Sequence, residues 1–384
     1  MPRGANHVAG LQKPPDLRLF FPPNADFAGN LPKITPLPAP GGTKEQMFYY
    51  LCGRKIVSLY LTQDPYPVMR QKKLLMIAAF LIAGSSMLRA QEETIIFTPQ
   101  WTAQAQFAGY YVAESKGFYR EAGVNVRIEH PSSTQPAMTR LRNNQCQATT
   151  LQLCQAMEIV DGGIPLVNIL QTSMNNAMVI VSARGKDPLT QKGARVGIWS
   201  VGFGQLAICM SIQDHLDYEW VRFAQNTNLF VAGALDATLA MSYNEYYQLV
   251  QAGIQMTEKN VYRFCDHGYN VQEDGVYMSR DYYESHKDLA KRFAQASRKG
   301  WEWAAEHPEE ALEIVMEYVD REHIATNIVL QRLMLQEVLR LQVDRESGER
   351  EFRMRPDMVQ LASHLMVENH MLGREITYKE LSYE

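Results

Sequence analysis

Three aromatic side chains early in the chain have the types and spacing needed to bind a flat ligand. Trp101 follows a strand predicted over residues 94–98, and Phe107 and Tyr110 lie three residues apart on the helix predicted next. An indole just beyond the C-terminal end of a strand can stack on a planar heterocycle, which adds about 0.5–1.5 kcal/mol to the burial of apolar area. Phe107 and Tyr110 extend that aromatic wall in one interpretation, and pack the helix against its sheet in the other.

A group of polar residues follows another predicted strand, over residues 236–241. Tyr243, Asn244 and Glu245 follow that strand after a single residue. An Asn amide can donate to and accept from the edge of a ring, and a Glu carboxylate can accept from an exocyclic amine. These residue types predict contacts with an amine-bearing heterocycle. In the alternative interpretation Asn244 caps the following helix, and Glu245 lies in its first turn, where a negative charge is favourable.

A glycine-containing loop at residues 200–204 joins a predicted strand to a predicted helix. It includes Ser200, Gly202 and Gly204. Backbone N–H groups in such a loop, together with the positive end of the helix, suit a carboxylate, sulfonate or phosphate group. An ordinary strand-to-helix turn explains the same residues, so both interpretations stay open.

Two runs of alternating strand and helix patterns must position these residues. The first covers residues 91–183 and the second covers 184–276, while residues 277–384 return to the first lobe as helices and end in a polar segment. The alternation predicts an α/β fold of two lobes, each a mostly parallel sheet flanked by helices. A chain that crosses twice between lobes leaves a cleft at the carboxyl ends of strands, where α/β sheets bind ligands.

The charge distribution argues against a nucleic-acid partner. The chain carries a net charge of −4, and the excess of Asp and Glu lies after residue 90. An acidic body repels phosphate backbones.

Cysteine and histidine spacing gives no sign of a metal site or a cofactor. Cys146, Cys154, Cys209 and Cys265 form neither a CxxC pair nor a metal-ligand pattern, and no HExxH motif occurs. Free, buried thiols are the expected state of these cysteines.

A secretory signal peptide is predicted at residues 69–90. A basic stretch that begins at Met69 precedes an apolar run over residues 74–83, and the small residue Ala90 precedes polar residues. The apolar run is too short for a comfortable membrane span. The mature protein is therefore expected to begin at Gln91, outside the cytoplasm. Residues 1–68 are either a wrongly extended reading frame or a disordered leader.

Several short motifs resemble one family of proteins. They are PQWTAQAQFAGYYVA at residues 99–113, KGFYREAG at 116–123, GIP at 163–165, GARVG at 193–197, LDA at 235–237 and SYNE at 242–245. In this order they resemble the family that joins fungal thiamine-pyrimidine synthases to bacterial alkanesulfonate- and pyrimidine-binding proteins. The resemblance covers roughly residues 94–320. It implies the type II periplasmic binding fold and a small-molecule ligand.

The resemblance also allows a test of the synthase chemistry. Those enzymes consume their own histidine and a lysine-bound pyridoxal phosphate, aided by iron near a cysteine-rich motif. Alignment on the motif at 163–165 places the lysine at Leu151, the histidine at Gln155 and the cysteine-rich motif near residues 269–275, which contain no Cys. Leucine cannot form a Schiff base. The replacements count against pyridoxal phosphate, iron and catalysis.

The favoured interpretation is a periplasmic receptor that captures a thiamine-pyrimidine precursor, or a related small heterocycle, for the permease of an ABC importer. An enzyme that makes the thiamine pyrimidine is the first alternative. A receptor that signals to a separate sensor kinase is the second.

Overall fold

The computed structural model of the chain describes residues 46–52, 55–61 and 93–383, apart from 133, 184, 185, 191, 201 and 224–226. The chain divides into two compact units, residues 1–89 and 90–384. In the first unit, β1 (Gln46–Cys52) pairs antiparallel with β2 (Lys55–Leu61). No strand was expected within residues 1–68. The signal peptide predicted at residues 69–90 lies outside the described residues.

The second unit holds the elements that position the site. Its strands are β3 Thr94–Thr98, β4 Asn125–Ile128, β5 Ala148–Gln152, β6 Leu166–Gln171, β7 Met178–Ser182, β8 Arg195–Trp199, β9 Glu219–Phe223, β10 Ala237–Met241, β11 Val261–Arg263 and β12 Asp274–Ser279. Its α-helices are α1 Ala108–Ser115, α2 Phe118–Glu121, α3 Ala137–Arg142, α4 Leu153–Asp161, α5 Gln205–Gln213, α6 Asn228–Val231, α7 Glu245–Gln251, α8 Arg280–Ser285, α9 Lys287–Glu306, α10 Pro308–Arg321, α11 Ile328–Leu341, α12 Pro356–Glu368 and α13 Tyr378–Leu381.

These strands form two five-stranded sheets, one in each lobe, and helices flank both. The first has the order β4-β3-β5-β12-β6 and the second β11-β7-β10-β8-β9. Strands β3, β4 and β5 run parallel to one another, but β12 is antiparallel to both of its neighbours. In the second sheet β7 likewise runs antiparallel to β10 and β11. The two-lobed α/β fold is thus confirmed, and the sheets are mixed rather than mostly parallel.

The chain crosses between the lobes earlier than the sequence suggested. Strand β7 pairs with β10 and β11 of the second sheet, so the first crossing is at residues 172–177 rather than at 183–184. The second crossing is at residues 264–273, before β12 returns to the first sheet. The hydrophobic pattern could not locate this crossing, because β7 is buried along its whole length. Such a strand fits either sheet, and only its pairing decides which one.

The helix predicted after the first strand, which carries Phe107 and Tyr110, is interrupted in the structure. A 3₁₀ turn at Ala105–Phe107 precedes α1, and Gly117, with φ of +78°, separates α1 from α2. That conformation is open to glycine without a steric penalty. Further along, α1 packs closely on α9, where a Cβ at Gly300 would lie 2.0 Å from the carbonyl oxygen of Gly109. This contact anchors the helix that follows the Trp101 loop.

The C-terminal segment contacts both lobes. Helix α11 touches α7 of the second lobe and the 3₁₀ turn of the first, and α12 touches α4 and α5. Residues 356–368 were expected to be part of a polar tail, but they form α12. Pro356 at its first position and the buried Met358, Val359 and Leu365 are a recognisable amphipathic pattern that was overlooked. No helix in the described part of the chain is long and apolar enough to cross a membrane.

Candidate functional site

A small cavity lies between the lobes at the carboxyl ends of strands β3, β5, β8 and β10. The first lobe contributes Gln100, Trp101, Gln104, Gln106 and Gln152, and the second contributes Trp199, Phe203, Met241, Tyr243, Asn244 and Glu245. The cavity volume is about 30 Å³. Pockets for small molecules are usually ten times larger or more. The two lobes therefore face each other here in a closed arrangement, with room for water only.

Two aromatic rings from opposite lobes meet over this cavity. The centroid of the Trp101 ring lies 5.6 Å from that of Phe203, edge to face, and Phe203 lies 6.4 Å from Trp199. Trp101 is partly buried and belongs to the first lobe, whereas Phe203 lies in the loop before α5. A flat ligand that enters between them gains an aromatic wall from each lobe.

The backbone beneath Trp101 is fixed by a neutral histidine. Nδ1 of His130 donates to the carbonyl oxygen of Trp101 at 2.6 Å, and the Tyr111 hydroxyl lies 2.8 Å from His130 Nε2. Burial lowers the pKa of His130, so the uncharged ring is favoured. With Nδ1 as the donor, Nε2 accepts from Tyr111. The position of Trp101 is thus set by two side chains outside the cavity.

Three glutamine side chains that line the cavity are linked by hydrogen bonds to one carboxylate, that of Asp274. Nε2 of Gln100 donates to Asp274 Oδ1 at 2.7 Å, and Nε2 of Gln106 donates to Oδ2 at 2.5 Å. Gln104 in turn donates to Oε1 of Gln106 at 2.6 Å. The buried Oε1 of Gln100 has no hydrogen-bond partner among the described residues. Gln100 lines the cavity, so this oxygen is an acceptor beside the cavity that no described donor occupies.

Asp274 titrates close to neutral pH. Burial raises its pKa from 3.8 to about 6, although the two glutamine donors counteract part of that rise. Burial and the neighbouring Asp274 charge also raise the pKa of Glu273 well above its ordinary value. Sequence inspection did not single out Asp274, because an Asp at the start of a strand gives no local sign of its partners 168 and 174 residues away.

Glu245 is buried at the site, and its carboxylate accepts one hydrogen bond from a side chain and one from the backbone. Its Oε1 accepts from Trp199 Nε1 at 3.1 Å, and its Oε2 accepts from the Met241 backbone N–H at 2.9 Å. Burial raises its pKa. Glu245 therefore holds the Trp199 indole and the end of β10 in place while it lines the cavity beside Tyr243 and Asn244. Asn244 precedes α7 without a side-chain capping bond, and its Oδ1 accepts from Gln248 instead.

Two of the predicted aromatic residues do not reach the cavity. Phe107 and Tyr110 are buried in the core, and Tyr110 packs on Phe97 and Trp301 with ring centroids 4.7 and 5.6 Å away. Phe107, in the 3₁₀ turn, has its ring 5.8 Å from that of His130, and Tyr110, in α1, is turned towards β3 and α9. Helix packing, the alternative interpretation of these two residues, is therefore what the structure shows.

The loop residues Ser200, Gly202 and Gly204 do not line this cavity. The backbone N–H of Ser200 donates to Phe223, and the carbonyl of Gly202 accepts from Gln155 and Gln205. Gly204 adopts a φ of +102° before α5, and a Cβ at this position would lie 2.8 Å from Cδ1 of Ile198. The loop instead contributes Phe203, which the sequence-based reasoning overlooked.

Leu151 and Gln155, which replace the lysine and histidine of the synthases, pack in the core and bond to the other lobe, respectively. Leu151 is buried in β5. Gln155 lies in the first turn of α4, and its Nε2 donates across the cleft to the Gly202 carbonyl at 2.9 Å. A second bond between the lobes joins Gln205 to Glu158 at 2.7 Å. Position 155 therefore supports the closed arrangement of the lobes.

The glutamines of the site could have been noticed from sequence. Gln100, Gln104 and Gln106 cluster within seven residues around Trp101, an unusual density of amides beside an aromatic residue.

In the described residues, no group of three or more His, Cys, Asp and Glu side chains is placed to hold a metal ion. The four cysteines of this unit are free thiols, and Cys265 is the one that is only partly buried.

Comparison with protein families identifies the group to which the chain is related. Residues 104–311, more than half of the sequence, match the model of the NMT1/THI5-like family. The chain belongs to the NMT1/THI5-like family. The resemblance derived from the short motifs is thereby confirmed.

Two proteins similar to this chain are named as binding proteins. The chain is 24% identical over 239 residues to the formylaminopyrimidine-binding protein of Halalkalibacterium halodurans, across 58% of this chain and 70% of that protein. It is also 24% identical over 249 residues to the riboflavin-binding protein RibY of Chloroflexus aurantiacus, across 61% of this chain and 68% of that protein.

Solved structures share the two-lobed fold. A ligand-binding component of an ABC-type import system from Staphylococcus aureus superposes with a TM-score of 0.58 at 11% identity, over 76% of this chain and 96% of that one. The periplasmic aliphatic sulphonate-binding protein of Escherichia coli gives a TM-score of 0.53 at 11% identity, over 76% and 92%. The family member described here therefore has the fold of periplasmic binding proteins.

Proposed function

We propose that this family member is an exported receptor that captures a small planar heterocycle, in the first place a thiamine-pyrimidine precursor, for an ABC importer. The observation that carries the proposal is the interlobe cavity, where aromatic rings of both lobes face a set of amide side chains. Flat faces suit a heterocycle, and amides match the mixed donors and acceptors of its edge. The pyrimidine- and flavin-binding relatives support the same ligand class.

The mechanism follows from the two crossings and the closed cavity. Since the empty cavity holds about 30 Å³, a heterocycle enters only when Trp101 and Phe203 separate. Residues 172–177 and 264–273 join the lobes and are the places where a hinge motion is absorbed. A ligand that contacts both rings and the Gln100 oxygen stabilises the lobes around itself.

Ligand identification and binding measurements test the proposal. We expect mass spectrometry of the purified protein to detect a planar heterocycle, and calorimetric titration to show one site for formylaminopyrimidine. No absorbance of a pyridoxal phosphate Schiff base is expected, because Leu151 and Gln155 replace the required lysine and histidine. Formation of a pyrimidine from histidine and pyridoxal phosphate with iron would instead establish the synthase activity.

Export is a separate part of the proposal with its own measurement. The order of basic, apolar and small residues at 69–90 supports it, as does the fold shared with periplasmic proteins. We expect cell fractionation to place the native protein outside the cytoplasm and N-terminal sequencing to read from Gln91. A mature protein that begins upstream of Met69 contradicts this prediction.

A further inference from the structure

A second and larger groove lies behind the first cavity, across the segment 241–247. Its volume is about 670 Å³, within the range of small-molecule sites. Ser242, Tyr246 and Tyr247 face this groove, whereas Met241, Tyr243, Asn244 and Glu245 face the first cavity. The two share no lining residue, so the groove is a distinct place on the molecule.

Arg263 is the notable side chain of this groove. It lies on β11 and is partly buried, and its guanidinium sits 5.2 Å from the centre of the Tyr246 ring. It has neither a hydrogen bond nor an ion pair with any residue that the structure describes. A partly buried guanidinium normally has a carboxylate, phosphate or carbonyl partner, because desolvating an unpaired charge is costly.

The other charges of the groove are already matched in pairs. Arg340 forms two hydrogen bonds with Glu337, at 2.6 and 2.8 Å. Arg345 donates to Asp266 at 2.8 Å, and Asp344 accepts from Arg355 at 2.9 Å. Arg263 is thus the one charged side chain lining the groove without a directly bonded partner among the described residues, although the charges of Asp266 and Glu337 lie near enough to interact with it. Its unused N–H donors suit an anionic group of a ligand.

We propose that the groove binds a small organic anion, whose carboxylate or phosphate group is held by the guanidinium of Arg263. The planar fork of Arg suits two parallel hydrogen bonds to such a group. The rings of Tyr246 and Tyr247 cover the remainder of the molecule, and donors left over on Arg340 and Arg345 lie on the same groove. This site does not depend on the heterocycle function of the first cavity.

Calorimetric titration with citrate and with pyrophosphate, in a buffer without other multivalent anions, tests the site. We expect one of the two probes to bind at one site, and Arg263→Gln to weaken that binding roughly 10- to 100-fold. Arg263→Lys keeps the charge but loses the fork, so an intermediate loss is expected. Arg298→Gln removes an exposed cation of α9 and serves as the matched control; it should bind as the unaltered protein does.

The outcomes separate this site from the first cavity. Trp101→Ala should leave the binding of the anion unchanged, whatever it does to heterocycle binding. The proposal is overturned if neither probe gives saturable binding, or if Arg263→Gln and Arg298→Gln bind alike. Thermal melts of each variant show whether a loss reflects the groove or unfolding, and Arg263→Lys keeps the test valid if Arg263→Gln does not fold.

Discussion

Trp101→Ala is expected to weaken the binding of a planar heterocycle by about 30- to 150-fold, which corresponds to about 2–3 kcal/mol. The indole lies on the first lobe and faces Phe203 of the second across the cavity. Alanine removes one face of the aromatic slot and part of the apolar area that the ligand covers. The bond from His130 reaches the backbone carbonyl of residue 101, so the loop keeps its support.

Calorimetric titration with formylaminopyrimidine, beside thermal melts, measures this effect. Trp220→Ala is the matched control, because Trp220 lies on the outer strand β9, is partly buried, and packs on Tyr218 away from the cavity. We expect Trp220→Ala to lower the melting temperature and leave the affinity unchanged. A Trp101→Ala protein that loses stability but keeps its affinity would exclude this residue from the site.

Asp274→Asn is expected to weaken ligand binding by roughly 10- to 100-fold while making the protein more stable above pH 7. The ionised Asp274 accepts from both Gln100 and Gln106, but asparagine offers only one acceptor and adds a donor. Gln106 is held by Gln104, so the Gln100 amide is the group expected to turn round. After that turn the Gln100 amide presents its N–H group in place of its oxygen. A ligand N–H group that the oxygen would accept from then has no acceptor.

The stability effect has a definite sign. The pKa of Asp274 is about 6 in the folded protein, against 3.8 for an ordinary Asp. Below about pH 4 the group is protonated in both states and its contribution to stability is fully present. As the pH rises from about 4 to 6 the unfolded chain releases this proton first, so the free energy of unfolding falls by something on the order of 3 kcal/mol. Asparagine does not ionise, so the free energy of unfolding of Asp274→Asn does not fall in this way.

Chemical denaturation at several pH values, with calorimetry at pH 7.5, measures both effects. The difference in stability between Asp274→Asn and the unaltered protein should be largest near pH 8 and shrink towards pH 4. Asp320→Asn, at an exposed position of α10, is the control and should change neither property appreciably. Equal stability at every pH, or unchanged affinity, would contradict the role given to Asp274.

In the unaltered protein, the affinity for the heterocycle should fall as the pH drops below about 6, because Asp274 then becomes protonated.

Local sequence patterns determined most of the elements of this chain. Strand β3 spans the predicted residues 94–98, and β10 begins one residue later than the predicted 236–241 and ends with it, because both are short apolar runs. Strand β11 was missed because three residues carry too little periodicity. The predicted cleft also holds, since the carboxyl ends of four strands from both lobes reach one cavity. Family membership followed from motifs that are contiguous in the chain.

Only the tertiary structure decided which side chains face the ligand cavity. A helix carries aromatic residues on several faces, so sequence spacing cannot tell whether Phe107 and Tyr110 turn to the sheet or to the cleft. Trp101 lines the cavity because it lies beyond a strand end, where the backbone itself enters the cleft. The link from Gln100 to Asp274 spans 174 residues and exists only because β12 returns from the second lobe to pair with β5. Such contacts depend on strand order, which no local pattern records.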